Sequence, residues 1–187
     1  MPLYTGKGDT GTTKLFDSPS GVRVSKSDVI FEALGTLDEC NSILGLCKAL
    51  SQKSALVCGG DSVGDVLHAV QDHLFTIQAE IAGAPKTISR EGVTVLEATI
   101  AKVEAELPPI TTFFIPGASE LSAYFDLART VSRRAERTVI AVHEARTRTV
   151  SAESRAYLNR LSSLLYALAR FVVHAQGLAE KPPQYSA

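Results

Sequence analysis

The chain has 187 residues, a size that fits one well-buried core, so we predict a single domain over residues 1–187. Its 45% hydrophobic and 21% charged residues are typical of a globular protein that favours helix, and they exclude a chain dominated by disorder. The formal net charge of -1 argues against a general affinity for nucleic acid or anionic membranes.

The first 27 residues, which we call the arm, are rich in Gly, Thr, Ser and Lys and show no helical period. Closely spaced glycines let successive backbone N–H groups converge, while Thr hydroxyls and Lys ammonium groups add donors and positive charge. These are the parts of a phosphate-binding cradle, although the Walker A spacing is absent. Composition alone favours a flexible tail over a cradle.

From residue 28 onward, apolar residues recur at spacings of three and four, which is the pattern of amphipathic helices. The first three helices are predicted over about 28–50, 63–82 and 93–107. Gly83-Ala84-Pro85 ends the second helix, and Pro108-Pro109 ends the third, because proline cannot continue the hydrogen-bond ladder.

Residues 110–118, ITTFFIPGA, which we call the connector, are apolar, β-branched and aromatic, and they are too short for a helix. They predict a short strand or a buried extended segment. Ser119 is predicted to cap a long fourth helix, and Ser151 a fifth helix that ends near Gln176, followed by a frayed tail over 178–187. The core stripe of the fourth helix is predicted at Leu121, Tyr124, Ala128, Val131, Ala135 and Val142.

Five helices joined by short connections predict an all-α, up-and-down bundle over residues 28–177. The three cysteines form no CxxC pair and the four histidines show no HxxxH or HExxH spacing, which argues against a zinc site or a disulfide framework. Cys40 and Cys47 are predicted as core residues, in a reducing compartment. No signal peptide and no membrane-spanning apolar run are visible, so we predict a cytoplasmic protein.

Three arginines recur at four-residue spacing on one face of the fourth helix: Arg129, Arg133 and Arg137, which we call the Arg ladder. Like charges at this spacing repel, and the adjacent Arg134 adds a fourth cation, so an anion should lie opposite. Two explanations stay open. The ladder either holds a polyanionic ligand through guanidinium forks, or forms a salt-bridged face with Asp126 and Glu136.

Two polar pairs interrupt the apolar stripes of other helices. Asp38-Glu39 lies so close to the core stripe of the first helix that it needs a partner, for which an Arg of another helix is the obvious candidate. We prefer this structural pairing to acid-base catalysis. Asn159-Arg160 on the fifth helix either caps a polar network or touches a ligand.

Six segments match one known family both in sequence and in their order along the chain: YTGKGDTGTTK (4–14), SKSD (25–28), GTLDECNS (35–42), FFIPG (113–117), ARTVSRRAER (128–137) and YLNRLS (157–162). The chain resembles the PduO-type ATP:cob(I)alamin adenosyltransferases along essentially its whole length. The resemblance implies a ferritin-like adenosyltransferase bundle with an ordered, phosphate-binding arm. It also implies transfer of the 5′-deoxyadenosyl group of ATP to the cobalt of cob(I)alamin, giving adenosylcobalamin and triphosphate.

The same resemblance implies an ATP site shared between the arm and the last two helices. Arg133 grips the triphosphate in this interpretation, and Mg²⁺ is bound mainly through the phosphates, without assigned protein ligands. The implied ATP-binding residues are Thr5, Gly6, Lys7, Gly8, Thr13, Lys14, Lys26, Arg133, Arg134, Glu136, Arg137 and Asn159.

The implied catalytic residues are Arg133, Phe113, Asp38 and Arg129. Asp38 pairs with Arg129 across the subunit boundary of a homotrimer in this interpretation. Phe113 lies beside the corrin of cobalamin, where an apolar side chain displaces the lower axial ligand of cobalt.

The partners implied by the resemblance are the small molecules ATP and cob(I)alamin, together with a cobalamin reductase or an adenosylcobalamin-dependent acceptor enzyme. Nucleic acid and membrane are not among them. The alternative is a non-catalytic, ATP-binding bundle that acts as a sensor or assembly module, which needs neither Phe113 nor a corrin cavity. A further alternative is a helical interaction protein with a flexible arm.

Overall fold

A computed structural model describes residues 3–185, so the first two residues of the arm and the last two of the tail lie outside the described range. Its helices are α1 (Val29–Lys53), α2 (Val63–Ile81), α3 (Arg90–Ala105), α4 (Glu120–Glu144) and α5 (Ala152–Ala175). Two antiparallel hairpins pair β1 (Thr12–Thr13) with β2 (Val24–Ser25), and β3 (Val57–Cys58) with β4 (Asp61–Ser62). The all-α class and the five predicted helices are confirmed within this range.

Each helix begins after a residue whose side-chain oxygen accepts a hydrogen bond from a backbone N–H of the first turn: Asp28, Ser62, Ser89, Ser119 and Ser151. The caps predicted at Ser119 and Ser151 are confirmed. Helix α3 begins three residues before the predicted position, because the cap at Ser89 precedes the first apolar residue of the stripe.

Polar contacts between helices fix their relative directions. The hydroxyls of Thr36 and Thr138 lie 2.7 Å apart, and Arg134 pairs with Glu39, so α1 and α4 run antiparallel. The short hairpin β3–β4 joins α1 to α2, short segments join α2 to α3 and α4 to α5, and the connector joins α3 to α4. The chain therefore runs up and down through the bundle, as predicted.

The core combines apolar side chains from all five helices, and α5 contributes the longest buried face. On α4 the predicted core stripe is correct except at Tyr124, which is only half-buried, while Phe125 and Val139 are fully buried. Since α4 packs between α1 and α5, its buried face is wider than a single stripe of three-four spacing.

Cys40 and Cys47 are free and fully buried in α1, so the prediction that they are core residues is confirmed. Burial raises the pKa of each thiol to about 12. Both side chains are therefore neutral near pH 7 and act as small apolar residues rather than nucleophiles.

The connector differs from its prediction. It forms neither a strand nor a buried segment, since Ile110, Phe113 and Ile115 expose 54%, 76% and 55% of their surfaces. Its backbone is tied at Ile115, whose N–H donates to the carbonyl of Lys181 at 2.8 Å. Among the described residues of one chain, the apolar side chains of Ile110, Phe113 and Ile115 are thus left largely uncovered.

The tail was predicted to fray, and this is wrong at Glu180 and Lys181. Glu180 accepts two hydrogen bonds from Arg170 of α5, at 2.7 and 2.9 Å, and Arg170 is only 5% exposed. A buried guanidinium requires a carboxylate partner, so the tail folds back against α5.

Glu80 of α2 provides the strongest polar link to the start of α5. Its carboxylate is 7% exposed and accepts from the Ser151 N–H at 2.7 Å and from the hydroxyls of Ser151 and Ser154. The N-terminus of a helix carries partial positive charge, which favours an anion at this position.

We expect Glu80→Ala to lower the free energy of unfolding by about 2–4 kcal/mol, because the donors at the start of α5 lose a buried, charged acceptor. Urea denaturation measures the change. The matched control Glu104→Ala removes an exposed carboxylate of α3 and should change stability by less than about 0.5 kcal/mol. Equal stabilities of the two variants would contradict the role of Glu80.

Candidate functional site

The arm is a hydrogen-bonded hairpin rather than the flexible tail that composition favours. Arg23 donates to the carbonyl of Lys7 at 2.7 Å and to the carbonyl and hydroxyl of Thr12 at 2.6 and 2.8 Å. The N–H of Lys26 adds a bond to the carbonyl of Gly11 at 2.9 Å. Sequence reasoning missed Arg23, because nothing in its local pattern shows that it lies against two distant backbone carbonyls.

Glycines shape the turns that precede β1 of this hairpin. Gly6 and Gly11 have φ values of +66° and +75°, a region that favours glycine. A Cβ at Gly8 would approach Nζ of Lys26 to 3.1 Å, so this lysine lies directly against the turn. The structure thus brings together Gly8 and Lys26, two of the arm residues predicted to bind ATP. No lysine of the arm forms an ion pair within residues 3–185.

The four arginines of α4 have different surroundings. Arg134 pairs with Glu39 of α1, which confirms structural pairing for one member of the Asp38-Glu39 pair. Arg133 and Arg137 are exposed, and neither forms an ion pair within the described part of the chain. These two guanidinium groups therefore remain available for an external anion.

Arg129 is half-buried and incompletely paired. Its Nε lies 3.7 Å from Oδ1 of Asp126 and has no hydrogen-bond partner among the described residues, and its guanidinium lies 5.9 Å from the centre of the Tyr166 ring. Burial raises the pKa of Asp126, although Arg129 opposes this shift. The predicted contact of Arg129 with Asp126 is confirmed, and a further acceptor is needed to satisfy Nε.

A polar network joins α4, α5 and α3 beside the Arg ladder. Asn159 donates to Glu136 at 2.9 Å and accepts from Arg160 at 2.7 Å, and Arg160 also donates to Glu97 at 3.1 Å. The prediction that Asn159-Arg160 takes part in a polar network is therefore confirmed. The salt bridge considered between Arg133 and Glu136 is not formed, because Glu136 turns towards Asn159 instead.

A cleft of about 600 Å³ opens between the connector, α4 and α5. Phe113 lies on its rim, Phe114 and Tyr166 add aromatic surface, and Asp126 and Arg129 supply its charged side. The cleft therefore offers an exposed aromatic wall next to a positively charged helix face, which suits a large, partly apolar ligand that carries or meets an anion.

Asp38 is exposed on the groove between α1 and α2, beside Leu34 and Phe75. It has no ion-pair partner within residues 3–185, and the carboxylate nearest Arg129 in that range is Asp126 instead. Within a single chain, the predicted Asp38–Arg129 pair is thus not formed.

The predicted site lies in separate parts of one chain. The arm is attached to the ends of α2 and α4, whereas Phe113 precedes α4 at its other end. A helix of 25 residues is about 37 Å long. The attached end of the arm and Phe113 are therefore separated by roughly the length of the bundle.

Neither a metal centre nor a membrane span is found in the described chain. Residues 3–185 contain no group of three or more His, Cys, Asp or Glu side chains placed to hold a metal ion. None of their helices combines the length and the apolar character that crossing a bilayer requires.

Comparison with known sequences identifies relatives over almost the whole chain. A corrinoid adenosyltransferase of Citrobacter freundii is 40% identical over 175 residues, which is 90% of this chain and 93% of the relative. The corrinoid adenosyltransferase PduO of Salmonella typhimurium is 40% identical over 178 residues, and here the chain spans about half the relative, 49% of its length. A corrinoid adenosyltransferase of Mycobacterium tuberculosis is 36% identical, over 90% of this chain and 86% of the relative.

Solved structures show the same fold. A variant PduO-type ATP:corrinoid adenosyltransferase from Lactobacillus reuteri, complexed with ATP, superposes with a TM-score of 0.83 at 25% identity, over 97% of this chain and 100% of that one. Another variant, complexed with cobalamin and ATP, gives 0.85 at 24% identity, over 98% of this chain and 100% of that one. The family model described as cobalamin adenosyltransferase matches residues 3–172, and the chain belongs to this family.

Proposed function

We propose that the arm and the Arg ladder of this adenosyltransferase hold ATP, while the cleft at the connector holds cob(I)alamin. The chain transfers the 5′-deoxyadenosyl group of ATP to cobalt, giving adenosylcobalamin and triphosphate. The observation that carries the site assignment is the exposure of Arg133 and Arg137, which form no ion pair within residues 3–185, on the same helix that lines the aromatic cleft.

The reaction requires the protein to position the substrates and to stabilise charge, and it requires no general base. Cobalt(I) of the substrate is the nucleophile, it attacks the 5′ carbon of ATP, and triphosphate leaves. Arg133 and Arg137 stabilise the charge that develops on the leaving triphosphate, together with the lysines of the arm. Mg²⁺ bound mainly by the phosphates would neutralise part of the same charge.

Phe113 suits a contact with the corrin of cobalamin. Its side chain is 76% exposed on the rim of the cleft and contains no atom that could coordinate a metal. An apolar wall at the lower face of cobalt displaces the lower axial ligand. Because a donor ligand stabilises the higher oxidation state, its removal favours reduction of cobalt(II) to the reactive cobalt(I).

A homotrimer explains why the residues assigned to one site lie in separate parts of a single chain. Arg129 has a buried Nε without an acceptor, and Asp38 is a carboxylate without an ion-pair partner, within the described residues. Asp38 lies on the α1–α2 groove, whereas Arg129 lines the cleft at α4, so the two meet only between copies. Such a contact also joins the arm of one copy to the cleft of the next.

We assign the enzyme to the cytoplasm, since its three cysteines are free and a reducing compartment keeps them so. Cob(I)alamin is strongly reducing, so a cobalamin reductase is the class of protein that supplies it. An adenosylcobalamin-dependent enzyme is the class that receives the product.

The proposed function predicts that purified protein converts cobalamin to adenosylcobalamin when it is incubated with ATP, Mg²⁺ and a strong reductant. The corrin absorption spectrum follows the reaction, and chromatography of the nucleotide products detects triphosphate. ATP binding without adenosylcobalamin would support the non-catalytic sensor instead and would overturn the enzyme assignment.

Arg133→Ala should lower kcat/KM for ATP by about 10²-fold, because one preorganised cation is lost from the leaving group. The thermal midpoint should not change, since Arg133 is exposed and makes no ion pair within the described residues. Arg90→Ala, which removes an exposed arginine of α3, is the control and should keep wild-type kinetics. Unchanged kinetics for Arg133→Ala would remove this residue from the site.

The trimer predicts that Asp38→Arg and Arg129→Asp each weaken assembly, because each places like charges at one contact. The double variant should restore the trimer, as measured by sedimentation equilibrium. Glu39→Arg is the control, since Glu39 pairs with Arg134 inside the chain and its loss should leave assembly intact. Assembly of Asp38→Arg at the wild-type concentration range would rule out this contact.

A further inference from the structure

The arm contacts the bundle where three segments meet. Asp17 accepts two hydrogen bonds from Arg148, at 2.6 and 3.0 Å, and Nε of Arg148 donates to the carbonyl of Ile81 at 3.1 Å. Next to this pair, the N–H of Phe16 donates to the carbonyl of Ala82 at 2.8 Å. We call this contact between arm, α2 and the α4–α5 loop the arm junction.

Gly83 makes the close approach in the arm junction sterically feasible. It has a φ of +94°, and a Cβ at this position would overlap the Asp17 carboxyl group. Arg148 is 22% exposed, and its hydrogen bonds hold the pKa of Asp17 below the ordinary value. The pair is therefore charged at neutral pH and has bidentate geometry, the arrangement that fixes orientation best.

The bundle side of the arm junction is rigid. Ile81 directly follows Glu80, whose buried carboxylate holds the start of α5, and Arg148 lies three residues before the Ser151 cap. On the other side, Leu15 packs against the core, and Lys14 lies immediately before it. The arm junction thus lies three residues from a lysine predicted to bind ATP.

We propose that Asp17 and Arg148 are positioning residues for the nucleotide, which act by fixing the arm before ATP binds. Neither residue belongs to the proposed phosphate-binding set. An arm that is already fixed loses less conformational freedom on binding, and its donors are held nearer to the productive geometry. This inference rests on the proposed nucleotide-binding role of the arm.

The test is a double-mutant cycle on ATP affinity, with Asp17→Ala, Arg148→Ala and the double variant. Calorimetric titration with ATP in the absence of cobalamin should show each single variant binding about fivefold more weakly than wild type. The double variant should be no weaker than Arg148→Ala alone, because that variant has already lost the contact with Asp17. Turnover at saturating ATP and the KM for cob(I)alamin should stay unchanged.

Hydrogen exchange provides a second readout that does not depend on ATP. Without nucleotide, amides of residues 3–16 should exchange faster in Asp17→Ala and Arg148→Ala, while amides of α5 keep their protection. Asp61→Ala is the matched control, because it breaks an equally short 2.6 Å ion pair with Lys102 away from the arm. It should change neither ATP affinity nor exchange in the arm.

Three results would overturn the inference. They are unchanged ATP affinity in both single variants, losses that add in the double variant, and a parallel fall of ATP affinity, turnover and thermal midpoint, which would indicate general support of the bundle. Wild-type protein that binds no ATP would overturn the proposed function as well. Wild-type binding with unaffected variants overturns the positioning role alone.

Discussion

The burial of α5 is the constraint on which the rest of the structure depends, since a polar group on a buried helix must find a partner. At its start, Ser154 meets the carboxylate of Glu80, and this fixes the loop that carries Arg148. At its end, Arg170 meets Glu180, and this fixes the tail that borders the connector. The two segments proposed to bind ligands, arm and connector, therefore both depend on polar groups at the ends of α5.

The Arg ladder shows how one helix can serve several contacts. Successive residues of an α-helix are rotated by about 100°, so four-residue steps drift by about 40° around the axis. Arg129 consequently turns into the cleft beside Tyr166, while Arg133 and Arg137 reach solvent. Arg134 follows Arg133 directly in the sequence, so it points in a different direction around the helix and forms an ion pair with Glu39 of α1. The contacts with Asp126 and Glu39 therefore relieve the expected repulsion at Arg129 and Arg134, whereas Arg133 and Arg137 are left for an external anion.

Periodicity was sufficient to predict the helices, because burial of a helix face repeats every three to four residues and leaves a local signal. Partner choice leaves no such signal. Arg148 and Asp17 are 131 residues apart, and their pairing depends on α2 and α4 ending, and α5 beginning, at one level of the bundle. The prediction that the connector is a strand or a buried segment was wrong because apolar composition indicates burial. Ile110 and Phe113 are apolar, yet both are exposed within one chain. The site residues implied by motif matches lie in separate parts of one chain, since the arm and Phe113 lie near opposite ends of α4.

The two adjacent aromatic residues of the connector, Phe113 and Phe114, have different surroundings. Phe114 is half-buried, and the guanidinium of Arg170 lies 5.2 Å from its ring centre, so it holds the connector to α5. Phe113 is left uncovered, and covering such a side chain contributes about 1.5–3 kcal/mol. That free energy is not used in folding and is available to a ligand. A corrin that covered this ring would gain apolar contact. It would gain no axial ligand, because the ring contains no donor atom. The same side chain would therefore favour both corrin binding and the activation of cobalt.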